Sequence, residues 1–413
     1  MSYKMTEGSI YQSLLHTPEG VRDIYGIECE EKLRIQNTMH QILKSYGFRD
    51  IQTPMFEFFD IFNKERGTVA SREMYKFFDR EGNTLVLRPD MTPSIARCVA
   101  KYCKEEEFPI RLCYVGNTFI NDSDSYRGRL KEMTQIGAEL INDDSSDADA
   151  EMLALTIECL KNCGLEEFQV EVGHAKFVEG LLNEADFDEE EAVSFRMLLE
   201  SKNRFGMEDL VESKNLSGDL KELILKLPEL FGSIENIQYA KEKVKNSVSL
   251  KALERLLKLY TILRNYGLSD YVTFDLGMFS KYDYYTGIIF RAYTYGNGEA
   301  VMKGGRYDNL LKQFGKKSTA IGFAIEIDQL MMALSRQKKL SDVREPITLL
   351  LYEASHQRQA IEMANVLRKS GKNIQLVRKS SAKNLELYKK YALRQQMAEM
   401  IYLHNGTKEE VNL

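Results

Sequence analysis

No run of this 413-residue chain holds the roughly 20 consecutive apolar residues that a membrane-crossing helix needs. Met1–Leu15 also lacks a basic-then-apolar leader with a small-residue cleavage site, so the expected compartment is the cytoplasm. Cysteine is sparse: Cys29, Cys98, Cys103, Cys113, Cys159 and Cys163 are scattered, and no CxxC occurs. Cys159 and Cys163 share a helix face, but no histidine follows closely, so neither a metal nor any other cofactor is expected. Buried thiols in a reducing compartment account for them better. A surplus of basic residues is missing too. The net charge of −6 argues against a chain-wide nucleic-acid surface. Only Pro346–Leu413 is basic, at +5 against −11 for the rest, and a solvated helix surface explains that tail better than a nucleic-acid patch. Internal repeats and low-complexity tracts are absent.

What the chain does hold is ordinary globular composition, 43% hydrophobic and 29% charged, over a length that suits two to three domains. Thr17–Gly26 is turn-rich. Glu28–Tyr46 reads as an amphipathic helix through Ile35, Met39, Ile42 and Tyr46, closed by Gly47. Pro54, after a short strand, marks a sheet edge or an interface, since proline breaks a central ladder. Thr84–Leu87 is a strand, and Pro93 opens a helix through Ile95, Val99 and Tyr102. The acidic, hydroxyl-rich start of DDSSDADAEMLALTIECLKNCG caps another helix, which Gly164 closes.

FQVEVG is a further strand, and residues of about 175–267 are almost wholly helical, an insertion within a sheet domain spanning 1–335. YVTFDLG, GIIFRAYTYG, EAVMKGGRYDNLL and TAIGFAIE resume the sheet. Residues 346–413 alternate β-α-β-α-β, which implies a small α/β unit with a parallel three-stranded core.

The stretch from Tyr114 through Glu139 organises the rest. LCYVGNTF and MTQIGAELI read as two strands joined by a long polar connection from Asn121 to Lys131. Gln135, Gly137 and Glu139 are two apart, so the amide and the carboxylate project from one face, left open by the glycine between them. Taken alone, such residues are often merely solvated on an outer face.

Six segments in order resemble one family. SYGFRDIQTPMFE resembles motif one of class II aminoacyl-tRNA synthetases, with its proline at the dimer interface. LRPDMT resembles the LRPEGT of histidyl-tRNA synthetase, and the Tyr114–Glu139 hairpin resembles motif two. YDYYTGIIF and KGGRYDNLL resemble two segments peculiar to the histidyl enzyme, and AIGFAIEIDQL resembles motif three. Short patterns singly mislead, but these six stand in sequence over about residues 17–335. The resemblance implies an α+β fold: an antiparallel sheet flanked by helices, with the helical insertion and a small C-terminal α/β domain. That last unit resembles the synthetase's anticodon-binding domain and stops at Leu413, short of its usual closing elements, so a remnant or assembly surface is expected.

The departures carry the functional expectation. Where the family places arginines to clamp ATP and the reacting carboxylate, this chain has Ile120, Gln329 and Ser280. None supplies the fixed cationic fork that grips phosphate. Losing one such transition-state donor costs about 3–4 kcal/mol, so the chain is not expected to be an enzyme. The amino-acid side of the pocket survives. By resemblance Asp90, Thr92 and Gln135 stand where the α-ammonium of histidine is held, and Glu139 and Tyr285 (with Tyr284 beside it) where the imidazole is read. Gly304 and Gly305 would allow close approach, and Arg129 or Lys281 would have to hold the carboxylate.

A synthetase fold that keeps this pocket and drops the ATP clamp is similar to the regulatory subunits of ATP phosphoribosyltransferase. Membership implies a silent subunit that assembles with a short-form catalytic subunit for the first step of histidine biosynthesis. It also implies self-association through the class II dimer interface, and histidine as effector. The alternatives are an active histidyl-tRNA synthetase and a tRNA-sensing module. A further alternative is that the polar residues are ancestral leftovers.

Overall fold

The structure, a computed structural model, describes residues 15–62, 69–121, 130–214, 216, 218–279, 285–340, 345–405 and 407–413. The chain divides into two compact units, Met1–Leu340 and Ser341–Leu413.

In the first unit, helix α1 (Ile27–Ser45) carries Glu28 and Glu30 in its first turn and Lys44 in its last, matching the helix dipole. It buries Ile35, Met39 and Leu43 at helical spacing and leads to strand β1 (Arg49–Asp50). Strands β2 (Phe56–Phe58), β3 (Lys76–Phe78) and β4 (Thr84–Leu87) form a small antiparallel sheet of their own, ahead of helix α2 (Thr92–Tyr102). β5 (Ile110–Phe119) and β6 (Glu132–Ile141) pair antiparallel, followed by helix α3 (Ser146–Asn162), whose N-cap Ser145 accepts from the Ala148 N–H. β7 (Phe168–His174) comes next.

Residues 175–267 are helical, ending in α4 (Ser247–Asn265), but they also give the sheet a two-residue strand, β8 (Phe231–Gly232), which the sequence pattern does not signal. β9 (Val272–Asp275), β10 (Ile288–Thr294), β11 (Met302–Arg306) and β12 (Ala320–Glu326) follow, then helix α5 (Ile327–Arg336). Among the described residues the main sheet runs β1-β5-β6-β12-β11-β10-β7-β9-β8. It is antiparallel except for the parallel pairs β1–β5 and β7–β9.

Period-two alternation splits this sheet into two faces with different chemistry. Ile136, Ala138 and Leu140 of β6, Ile321, Phe323 and Ile325 of β12, and Ile288, Phe290 and Ala292 of β10 face one large apolar core shared with α1, α3 and α4. The opposite face carries Gln135, Gly137 and Glu139, then Gly322, Gly305, Arg291, Glu171 and Thr273 on successive strands. Helix α2 covers one end of it through Met91, Ile95 and Val99, packed with Tyr114 and Tyr307.

In the second unit, β13 (Ile347–Tyr352) lies between parallel neighbours β14 (Asn373–Arg378) and β15 (Glu399–His404). A fourth strand, β16 (Thr407–Val411), adds antiparallel to β15. Four of its five residues are polar and exposed, so no alternating apolar pattern announces it.

Candidate functional site

Glu139 is 1% exposed, at the centre of the polar face. Thr92, the first residue of α2, donates its hydroxyl to Glu139 Oε1 at 2.9 Å. Tyr307, just past β11, bonds Glu139 Oε2 at 2.5 Å. Burial is the largest influence on this carboxyl and pushes it up to about 8, the two hydroxyls pull it down, and Asp90 nearby raises it. Among the described residues no cation joins these influences, and burial favours the neutral acid.

Glycine makes room for this arrangement. Gly322 stands directly across from Glu139 in the β6–β12 register, and a Cβ there would overlap Glu139 Oε2. At Gly137 a Cβ would strike the Tyr114 hydroxyl and the Phe323 carbonyl. Tyr114 is wholly buried, and its hydroxyl has no partner among the described residues. Gln135 Oε1 is likewise buried without one. A buried amide oxygen and phenol left open are costly unless something polar completes them, which marks this face as a place for a polar ligand.

Asp90 accepts the Thr92 N–H at 3.3 Å, fixing the turn into α2. Near it Arg88 is buried, donating to the Asn117 and Thr53 carbonyls at 2.8 and 2.9 Å, with Nη2 lying over Gly116, which pairs with Gln135. Tyr285 lays its ring against Gly305, where a Cβ would come within 2.8 Å of Cε1. The structure thus gathers Asp90, Thr92, Gln135, Glu139, Tyr285 and Gly305 on one face.

Gly304 departs from expectation. Consecutive strand residues face opposite ways, and a Cβ on Gly304 would meet the Phe290 ring in the apolar core instead. Ile120 continues β5 with its N–H on the Lys131 carbonyl at 2.9 Å, and Gln329 Oε1 accepts from Asn297 at 3.1 Å. Arg129, Ser280, Lys281 and Tyr284 lie outside the described residues. Sequence reasoning passed over Tyr307 and Gly322. Tyr307 sits inside the quoted GGRYDNLL, and its polar tip within an apolar run is the signal that could have singled it out.

A family model described as histidyl-tRNA synthetase matches residues 20–330. Fold and site together therefore define a histidyl-tRNA synthetase-like protein of the class II aminoacyl-tRNA synthetase architecture. An ATP phosphoribosyltransferase regulatory subunit of Acetivibrio thermocellus is 42% identical over 86% of this chain and 85% of its own. Another, from Ruminiclostridium cellulolyticum, is 38% identical over 95% and 93%. The crystal structure of an ATP phosphoribosyltransferase regulatory subunit/histidyl-tRNA synthetase from Bacillus halodurans superposes with a TM-score of 0.84 at 33% identity, covering 94% of this chain and 98% of that one. This chain belongs to the family of ATP phosphoribosyltransferase regulatory subunits. Among the described residues no helix is long and apolar enough to cross a membrane.

Proposed function

We propose that this chain is a non-catalytic regulatory subunit. It assembles with a short-form ATP phosphoribosyltransferase catalytic subunit for the first step of histidine biosynthesis and confers feedback control by histidine. The observation that carries this reading is an asymmetry. Glu139, held by Thr92 and Tyr307, keeps the chemistry for an imidazole ring, while the positions that would grip a nucleotide are Ile120 and Gln329. Histidine suits the site because each ring nitrogen needs a polar partner and its ammonium needs a carboxylate, here Asp90. The ligand carboxylate falls to Arg129 or Lys281. Occupancy becomes inhibition only if histidine binds one assembly state better than the other.

Self-association fits the small sheet β2–β4–β3. Phe56, Phe58 and Phe77 lie on one side of it and are 52%, 54% and 38% exposed, beside Pro54. A second copy of the chain covers this patch.

Reconstitution with the short-form catalytic subunit of the same genome is the decisive test. Activity that needs both chains, with histidine inhibition lost on Glu139→Gln, supports the reading. Histidine-dependent exchange of pyrophosphate with ATP by the purified chain would overturn it in favour of an active synthetase.

A further inference from the structure

Arg88 is 5% exposed, yet among the described residues no carboxylate pairs with it. Glu57 acts on it only from a distance and is itself held by Arg97 at 2.7 Å. Burial therefore pulls the Arg88 guanidinium below its ordinary value, and Tyr114 and Glu57 offset that only in part. Its Nε and Nη1 are spent on the Asn117 and Thr53 carbonyls. Nη2 donates to nothing among the described residues, and it lies 2.5 Å from where a Cβ on Gly116 would stand. A buried cation without an anion is costly, so this nitrogen marks a place for one.

The segment from Arg88 to Thr92 runs beside β5 and β6 in a definite register. Thr92 reaches Glu139. Arg88 Nη2 lies over Gly116, the partner of Gln135, and Asp90 falls between the two in the chain. Tyr114 and Gln135, whose buried oxygens lack partners among the described residues, stand on the same face. The face thus offers, in order, a group for an imidazole, a carboxylate and a cation. Histidine carries its ring, then its ammonium and carboxylate, in the matching order. From Glu139 to Gln135 the strand spans roughly 13 Å, which one histidine and the side chains at either end fill.

Granted histidine in this pocket, as proposed above, we infer that Arg88 sets its selectivity for a free carboxylate. Nη2 donates to one oxygen of that carboxylate, and the other stays with Arg129 or Lys281. A phosphate suits Arg88 less, because the committed Nε and Nη1 leave no fork for a bidentate grip. An analogue without the carboxylate leaves the guanidinium unpaired, and a site built around that group rejects it.

Calorimetry on the full chain with L-histidine and with L-histidinol, which has a neutral hydroxymethyl group in place of the carboxylate, tests this. Histidine should bind at least about tenfold tighter than histidinol. Arg88→Met should collapse that ratio by weakening histidine alone. Gly116→Ala should do the same with Arg88 still on its two carbonyls, because the added methyl displaces Nη2 and otherwise meets only the flexible end of Met91, at 3.0 Å. It carries the test should Arg88→Met fail to fold. A purely structural Arg88 would weaken both ligands equally and leave the ratio unchanged. Equal affinity of the wild-type chain for the two ligands, or the wild-type ratio kept in either folded variant, overturns the assignment and leaves the histidine reading of the pocket standing. No saturable heat with either ligand overturns both.

Discussion

Tyr307 and Glu139, separated by 168 residues in sequence, meet through a hydrogen bond of 2.5 Å in a site closed to water. The carboxyl between Tyr307 and Thr92 carries a folded-state pKa of about 8 against an ordinary 4.5. The native protein therefore holds on to a proton that the unfolded chain releases first. The sign follows directly: this group favours folding fully below about pH 4.5, and that contribution is lost as pH rises towards 8. The slope within the window is at most about 1.4 kcal/mol per pH unit. Melting curves between pH 5 and 8.5 should show the free subunit losing stability with rising pH, and Glu139→Gln should flatten that trend. An identical trend in the variant would place the titration elsewhere.

Histidine binding reverses the balance at the same carboxyl. A protonated imidazole brings Glu139 a cation that none of the described residues supplies, so the affinity of Glu139→Gln for histidine should fall by about 1.5–3 kcal/mol, the worth of a hydrogen bond to a charged group. Tyr307→Phe removes one hydroxyl and keeps the ring, and it should weaken histidine by about tenfold without unfolding the chain. Titration calorimetry on the two variants separates the charge from its positioning.

Much of this site was readable because its signals are local. The two-residue spacing of Gln135, Gly137 and Glu139 puts them on one face wherever the strand goes, and β6 does turn that face away from the apolar core. The polar pairing at Asp90–Thr92 lies within one turn. What sequence spacing could not supply was register. That Gly322 falls opposite Glu139, or that Gly304 turns into the core while Gly305 turns out, depends on how distant strands align. Tyr307 reaches Glu139 by the same long-range pairing. β8 and β16 were missed for another reason. One has only two residues and the other is an edge strand of charged side chains, and neither carries a period.

The glycine opposite Glu139 yields a sharper test of register. A methyl group at Gly322 has nowhere to go, because Oε2 occupies its place and the Ala138 carbonyl lies at 2.9 Å. Gly322→Ala should displace the Glu139 side chain, cost about 1–3 kcal/mol of stability and abolish histidine binding. Gly315→Ala, where nothing lies within 4 Å but φ is 89°, is the control. It should carry only the backbone penalty of about 1 kcal/mol and keep the ligand.

Asp149 decides whether Tyr307 is in place at all. It is fully buried in α3 and takes Arg306 through Nε and Nη2 on Oδ1, at 2.9 and 2.6 Å, and Arg255 through Nε on Oδ2 at 2.6 Å. Arg306 is the last residue of β11, so this ion pair anchors the strand end from which Tyr307 departs. Removing the carboxylate leaves two guanidinium groups near one another, one of them almost wholly buried with only Asp308 at 3.4 Å as counter-charge, so the cost approaches the roughly 3–5 kcal/mol of breaking a buried pair. Removing Arg306 instead leaves Asp149 still paired with Arg255. Asp149→Asn should therefore destabilise the chain more than Arg306→Met does, as read by urea unfolding. Both should weaken histidine binding, because each frees the end of β11. Equal destabilisation by the two changes would mean that Arg255 does not share the load, and unchanged histidine affinity in Arg306→Met would uncouple this anchor from the site.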